Sequence, residues 1–89
     1  MTRPLVELVE QFCQYQLKQR GKTERGVQTY RWNLEQFLLF GRARFGRVAR
    51  VSDLSKGVIQ DWMDDMAARD LTLETIRSRQ STLSSFCSW

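Results

Sequence analysis

Mostly apolar residues recur at intervals of three and four positions in four separate stretches of the chain, which is the spacing of one face of an α-helix. The four stripes consist of Leu5, Leu8, Val9, Phe12, Cys13, Gln16 and Leu17; Val27, Tyr30, Leu34, Phe37 and Leu38; Val58, Ile59, Trp62, Met63 and Met66; and Leu73, Ile76, Leu83, Phe86 and Cys87. No stretch shows the sustained alternation of apolar and polar residues that is typical of a half-buried strand. Amphipathic helices with short connections bury such stripes against one another, so the pattern predicts an all-α, four-helix bundle.

Polar residues and glycines between the stripes predict where the helices begin and end. We expect the first helix over about residues 4–19, with Pro4 in its first turn and Gly21 just beyond its end. The second helix should end between residues 41 and 46 and be followed by a linker over residues 47–54. Hydroxyl side chains that can cap the remaining three helix starts belong to Thr23, Ser55 and Thr72.

Length and composition limit the functions that such a bundle can have. The 89 residues suffice for one domain, residues 1–89, and they include no histidine. Ser/His and Cys/His nucleophilic catalysis and histidine-ligated metal sites are therefore excluded. The two cysteines, Cys13 and Cys87, are too few and too far apart for a zinc cluster. We expect no catalytic residue, no cofactor and no metal site.

The sequence also lacks the segments that direct a chain to a membrane. No stretch reaches the ~20 apolar residues that are needed to cross a bilayer, and the first residues run into polar sequence without a secretory signal. We expect a cytoplasmic protein without a membrane partner. Because Trp89 still lies in a helical register, we also expect that the chain is cut from a longer one.

Positive charge is concentrated on both sides of the second helix. The formal net charge is +4, and eight of the 14 cations lie within residues 20–31 and 42–50. Most of the charged residues in 51–70 are acidic instead. The eight are Arg20, Lys22, Arg25, Arg31, Arg42, Arg44, Arg47 and Arg50. Such clusters favour a polyanionic partner, although many charge runs only keep a surface solvated. Charge alone leaves both interpretations open.

The outer faces of the second and fourth helices carry residues that are suited to nucleic acid. On the second helix, Trp32 lies on a polar face, where an indole is free to stack, to pack on a sugar, to contact another domain or to cover the neighbouring linker. The fourth helix carries short hydroxyl side chains and arginines opposite its apolar stripe. These side chains let a helix lie deep in a major groove, but solvated helices carry them too.

Two segments of the chain resemble the N-terminal core-binding domain of tyrosine recombinases and phage integrases. Residues 23–37, TERGVQTYRWNLEQF, resemble that domain's S-x-x-T-x-x-x-Y-x-x-x-L-x-x-F signature, and residues 71–89, LTLETIRSRQSTLSSFCSW, resemble its closing helix. The resemblance implies a SAM-like bundle of two crossed helix hairpins that binds duplex DNA through its second and fourth helices in DNA integration and recombination. It also implies that the catalytic domain is separate and absent here, so that this chain is not an enzyme.

The resemblance, together with the charge pattern, identifies candidate DNA-binding residues and partners. The candidates are Lys22, Arg25, Gln28, Thr29, Arg31, Trp32, Arg42 and Arg44 in or beside the second helix, and Thr75, Arg77, Ser78, Arg79 and Thr82 in the fourth. Gln28 and Arg77 are the candidates for base recognition, and Arg42 is expected to bind phosphate. The expected partners are double-stranded DNA, the catalytic domain of the parent chain and other recombinase protomers on DNA.

Two other functions fit a small basic helical bundle. A protein-interaction module would use Trp32 and Leu39 as partner anchors, with the arginines serving solubility. A helix-turn-helix repressor fragment is disfavoured, because we expect no short three-residue turn before the fourth helix.

Overall fold

The computed structural model describes residues 4–89, and within them the chain forms four α-helices and one short 3₁₀ helix. The α-helices are α1 (Leu5–Lys18), α2 (Glu24–Phe45), α3 (Lys56–Ala68) and α4 (Leu73–Ser88), and the 3₁₀ helix is Val51–Asp53. Each α-helix lies within a residue or two of the position that its apolar stripe predicts. The all-α fold is confirmed.

Three helices begin at the hydroxyl residues that the sequence indicates. The side-chain oxygens of the caps accept hydrogen bonds from backbone N–H groups three residues on, at 3.1 Å for Thr23, 3.2 Å for Ser55 and 3.2 Å for Thr72. At the other end of α2, Gly46 adopts a left-handed conformation with φ of 70° and donates its N–H to the Arg42 carbonyl at 2.9 Å. Glycine takes up that conformation without a steric penalty, which explains why α2 stops there.

The core is built from all four helices and centres on aromatic side chains. Phe12 of α1 is fully buried and meets Phe86 of α4 edge-on, with ring centroids 5.5 Å apart. Phe37 of α2 meets the buried Trp62 of α3 in the same manner at 5.0 Å. Such edge-to-face pairs add to the stabilisation that comes from burying the rings. In the bundle, α2 packs against both α1 and α4, and α4 also packs against α3.

The linker between α2 and α3 is held against the helices. Leu5 donates its backbone N–H to the Ala49 carbonyl at 3.0 Å. A Cβ atom on Gly41 would lie 3.0 Å from the Ala49 Cβ, closer than most such contacts, so glycine lets the linker pack against α2 without a shift of Ala49. Gly41 therefore marks a close approach inside α2, and the helix continues to Phe45.

Three sequence predictions are corrected here. Leu73 and Cys87 were assigned to the inner stripe of α4, but both are exposed, Leu73 at 61%. Both lie in the terminal turns of α4, where the bundle covers fewer sides of the helix. Only residues 69–72 separate α3 from α4, with Asp70 in a left-handed conformation at φ of 59°. That connection is short enough for a helix-turn-helix, so its length does not exclude such a motif.

Candidate nucleic-acid interface

A buried hydrogen-bond network joins α2 to α4. Asn33 of α2 is 5% exposed, and its Nδ2 amide donates to Oγ1 of Thr82 at 2.9 Å and to Oγ of Ser78 at 3.4 Å. Thr82 in turn donates its hydroxyl proton to the Ser78 carbonyl at 3.1 Å. These contacts bring the outer edge of α2 beside the hydroxyl-bearing face of α4.

A depression of about 290 Å³ lies on the outside of this junction. It is lined by Trp32, Asn33, Glu74, Thr75, Ser78 and Arg79, all of which belong to α2 or α4. The indole of Trp32 is 57% exposed beside α4 and so does not serve to cover the linker. The two polar helix faces thus meet at this depression. We use the name α2–α4 wall for the residues lining the depression together with the other exposed candidates in α2, just before α2 and in α4.

Most of the predicted contact residues are exposed, but the structure does not bring all of them to the α2–α4 depression. Arg25 and Gln28 line a depression shared with α1, and Lys22 lines another that is shared with α1 and the end of α4. Exposed side chains belong to Lys22, Arg25, Gln28, Thr29, Trp32, Arg42, Arg77 and Ser78, and Thr75 is half-buried. The ion pairs formed within residues 4–89 involve none of the cations Lys22, Arg25, Arg42 and Arg77. Their charge is therefore not neutralised by the protein itself. Glu74 is the acidic residue at the depression, and it lies in the first turn of α4, where a carboxylate is favoured by the helix dipole.

Two threonine candidates are partly engaged in local hydrogen bonds. The hydroxyl of Thr29 donates to the Arg25 carbonyl at 3.3 Å, one helical turn back. The hydroxyl of Thr75 accepts from that of the cap residue Thr72 at 2.9 Å. Each hydroxyl oxygen has two lone pairs, so both residues keep an acceptor position for a ligand.

Two arginine candidates are neutralised by acids on other helices. Arg31 of α2 forms a two-pronged ion pair with Glu10 of α1, in which Nη2 lies 3.3 Å from Oε1 and Nη1 contacts Oε2. This pairing lowers the pKa of the Glu10 carboxyl and raises the pKa of Arg31. Arg44 lies 2.6 Å from a carboxylate oxygen of Asp61 in α3. Both guanidinium groups are turned toward neighbouring helices of the bundle.

Thr82 does not fit the role that the sequence indicated. It is only 4% exposed, and its hydroxyl is engaged by Asn33 and by the Ser78 carbonyl. The side chain therefore holds α2 against α4 from within and does not reach the surface. The position of Thr82 next to the core residue Leu83 is the sequence signal for this inward orientation.

Arg79 is half-buried at the centre of the surface. Its Nε–H is buried and finds no hydrogen-bond partner within residues 4–89, and its Nη1 lies 4.0 Å from the Met66 sulfur, a weak acceptor. A buried donor without an acceptor is unfavourable by about 1–3 kcal/mol. Because the Nε–H is enclosed in this conformation, the Arg79 side chain must reorient before an external acceptor can meet that donor.

Asn33 is the functional-site residue that sequence reasoning missed. A polar residue directly before the core residue Leu34 is only a weak signal of inward orientation. Its partners lie 45 and 49 positions away along the chain, so no local pattern connects them.

The remaining chemistry of the described residues is limited. Burial raises the pKa of the Cys13 thiol, so that it stays protonated at neutral pH. No group of three or more His, Cys, Asp and Glu side chains among residues 4–89 is arranged to hold a metal ion. Among the same residues, no helix has the length and apolar character to span a membrane.

The comparison with protein families decides the affiliation of this bundle. The model of the phage integrase N-terminal SAM-like domain matches residues 9–89. The chain belongs to this family. The match confirms the resemblance and the fold expected from the two sequence segments, and it makes the chain a member of the tyrosine recombinase family. The integrase SAM-like domain is not the catalytic domain of these enzymes. Comparisons with curated proteins and with solved structures gave no match.

Proposed function

We propose that this chain is the DNA-binding core-binding domain of a site-specific tyrosine recombinase or integrase, and that it grips duplex DNA through α2 and α4 without supplying a catalytic group. The observation that carries the proposal is the α2–α4 wall. There, the contact of Asn33 with Thr82 and Ser78 places the exposed Trp32 beside the hydroxyls and arginines of α4. The family affiliation supports the same function.

The cations of the wall divide into two tasks. Contacts to phosphate fix position and supply affinity, whereas contacts to base edges supply specificity. Arg25 and Arg42 are exposed on α2, Lys22 is exposed just before it, and all three bind phosphates. Gln28 and Arg77 are long enough to reach base edges, with each two-pronged contact contributing about 1–3 kcal/mol of discrimination.

The half-buried and uncharged residues complete the surface. Arg79 reorients on binding, so that its Nε–H, which is buried in the free protein without a partner from residues 4–89, donates to a phosphate oxygen or a base acceptor. The indole of Trp32 packs on a sugar or a base. The hydroxyl side chains of Thr29, Thr75 and Ser78 are short, so they let α2 and α4 come close to the DNA and form hydrogen bonds with it. Arg31, Arg44 and Thr82 are left out, because their polar groups are engaged within the bundle.

The proposed partners follow from this role. Double-stranded DNA is the ligand, and the catalytic domain of the parent chain and other recombinase protomers on DNA are the protein partners. Residues 1–89 form one non-catalytic domain that works in the cytoplasm. Its isolated affinity is modest, because a clamp gains affinity by linking two half-sites, which raises the effective concentration of the second contact.

A second candidate function, a protein-interaction module, is favoured by one observation. Leu39 of α2 is 63% exposed and lies on a groove of about 410 Å³ between α2 and α3, with the buried side chains of Trp62 and Met66 among its lining. An exposed leucine over an apolar floor is typical of a partner anchor. The groove lies on the α3 side of α2 and the wall on the α4 side, and the two surfaces adjoin at Arg79, which lines both.

A chemical-shift titration of the ¹⁵N-labelled protein with a generic DNA duplex tests the proposal. We expect shift changes within residues 22–44 and 75–85, and none within α3. Changes restricted to the groove around Leu39 would refute DNA binding by the wall, and no changes at all would favour a protein partner.

A further inference from the structure

We propose that Asn33 is a positioning residue that sets the register of α2 against α4, and that this register determines which DNA sequence the domain prefers. This inference rests on the proposed DNA-binding function. Asn33 itself contacts no DNA in this account. It acts through Ser78 and through Trp32, its neighbour along the chain.

The buried network permits one alignment of the two helices. The apolar residues on either side of it, Leu34 in α2 and Leu83 in α4, are 1% and 2% exposed. Apolar contacts are non-directional and allow helices to slide with little change in energy. A buried amide donor is different, because it must keep its acceptors. Any slippage of α4 along α2 would leave the Nδ2 amide of Asn33 without Thr82 and Ser78.

The network is connected directly to the outer surface. The Ser78 side chain is exposed on the wall, yet its Oγ accepts from the Asn33 amide at 3.4 Å. The Ser78 hydroxyl proton is consequently available to donate outward. Because Asn33 also adjoins Trp32, the same hydrogen bonds fix the distance between the indole and the hydroxyl face of α4.

Register matters more for base recognition than for phosphate binding. One helical turn corresponds to about 5.4 Å, which is more than enough to separate Arg77 from the base edge that it would contact. Phosphate contacts tolerate such a shift, because the DNA backbone presents a charge at regular intervals. Loss of the network should therefore remove sequence preference and leave general affinity unchanged.

The test uses the double variant N33L/T82V, in which both partners become apolar groups of similar shape. Removing both partners of a buried hydrogen bond is nearly neutral for stability, whereas removing one leaves the other unsatisfied. A preferred site is first selected from random duplexes with the wild-type chain. We expect the ratio of affinities for the preferred and a scrambled duplex to fall about tenfold in the double variant. Affinity for the scrambled duplex and its salt dependence should stay the same.

Gln16→Leu is the matched control. Gln16 is an amide residue of α1 that is 8% exposed and takes no part in the α2–α4 network. Its replacement also makes a buried polar position apolar. The ratio of affinities should remain at the wild-type value, and an equal fall in this control would show that any change in the core reduces discrimination, which would overturn the proposal.

A second measurement without DNA separates this inference from the proposed function. Residual dipolar couplings of the backbone amides report the orientation of α2 relative to α4 in the free protein. We expect one fixed orientation in the wild type, and an altered or averaged one in N33L/T82V. Any of three results would overturn the role of Asn33. They are dipolar couplings that stay the same in N33L/T82V, a ratio of affinities for the preferred and scrambled duplexes that stays the same, and a wild type that shows no preferred site. Absence of salt-dependent DNA binding in the wild type would instead refute the proposed function, and the couplings would still decide whether Asn33 sets the orientation.

Discussion

Arg31 in α2 holds the carboxylate of Glu10 in α1 between its two terminal nitrogens, with Nη2 3.3 Å from Oε1. This ion pair joins the first two helices and neutralises the charge of Arg31. By its position in the sequence alone, Arg31 would belong to the basic cluster beside the wall. The geometry thus divides the arginines of α2 into those that bind within the bundle and those that remain available to DNA.

This division predicts different effects for Arg31→Ala and Arg25→Ala. Removing Arg31 should lower the free energy of unfolding by up to about 1 kcal/mol, the range of a surface ion pair, with little effect on DNA binding. Removing the unpaired Arg25 should instead reduce the salt slope of DNA binding by about 0.9, the value for one phosphate contact. Urea unfolding and fluorescence anisotropy at several salt concentrations provide the two measurements. Equal changes of the salt slope in both variants would contradict the division.

Trp32→Ala should weaken binding to duplex DNA without affecting the fold. The indole is 57% exposed, so its loss creates no cavity in the core. Leu39→Ala is the matched control, since Leu39 is equally exposed on α2 but lies on the groove toward α3. We expect a loss of DNA affinity in the first variant and none in the second, measured by anisotropy with the melting temperature as a check on folding. The reverse order would place DNA binding at the groove and contradict the assignment of the wall as the DNA-binding surface.

Arg42→Gln and Arg77→Gln should separate phosphate binding from base recognition. A phosphate contact at Arg42 would strengthen binding to all sequences alike, so its loss should weaken binding to all of them. A base contact at Arg77 would add about 1–3 kcal/mol for the preferred base pair alone, so its loss should relax the preference. Selection of binding sites with each variant checks both outcomes. A narrowed or altered preference in Arg42→Gln would show that the roles are assigned wrongly.

The ion pair of Asp53 with Arg47 predicts how stability depends on pH. The Asp53 carboxylate accepts from the Arg47 guanidinium at 2.8 and 2.9 Å and from the Arg50 backbone N–H at 2.8 Å. These hydrogen bonds lower the pKa of Asp53 from 3.8 to about 2, and those from Arg47 have the largest effect. Because the pKa is lower in the folded state, the stabilisation is fully present above pH ~4 and is lost as the pH falls toward ~2.

Asp53→Asn should remove the part of the pH dependence of the unfolding free energy that comes from this ion pair. We expect a loss of about 1 kcal/mol at pH ~6, the upper range for a pair at the surface, and a smaller difference from the wild type at pH ~2. Urea unfolding at the two pH values gives both free energies. A difference that grows as the pH falls would contradict the pairing.

The helices could be predicted from the sequence because their signals are local. The apolar stripes, the cap hydroxyls of Thr23, Ser55 and Thr72 and the left-handed Gly46 each act within a few residues. The prediction that Leu73 is buried was wrong. An apolar stripe shows which side of a helix faces the core, but it does not show how much of that side the neighbouring helices cover.

The site was less predictable because its pairings span the chain. The acid that neutralises Arg31 lies 21 positions away, and Thr82 is turned inward by an amide 49 positions away. Periodicity identifies a face as polar, but it does not show whether a polar side chain meets water, a ligand or another helix. The resemblance indicated that α2 and α4 act together, but the partners of the individual side chains had to be found in three dimensions.

The most direct test of the account is the salt dependence of binding to a generic DNA duplex. The wall offers five cations that are not paired with an acid within residues 4–89, namely Lys22, Arg25, Arg42, Arg77 and Arg79. A generic duplex offers Arg77 no preferred base, so on such a duplex we expect each of the five cations to bind one phosphate. The logarithm of the binding constant should then fall with the logarithm of the salt concentration at a slope of about −4.5 between roughly 50 and 200 mM. A slope near this value supports DNA binding by α2 and α4, and binding that does not change over this range contradicts it.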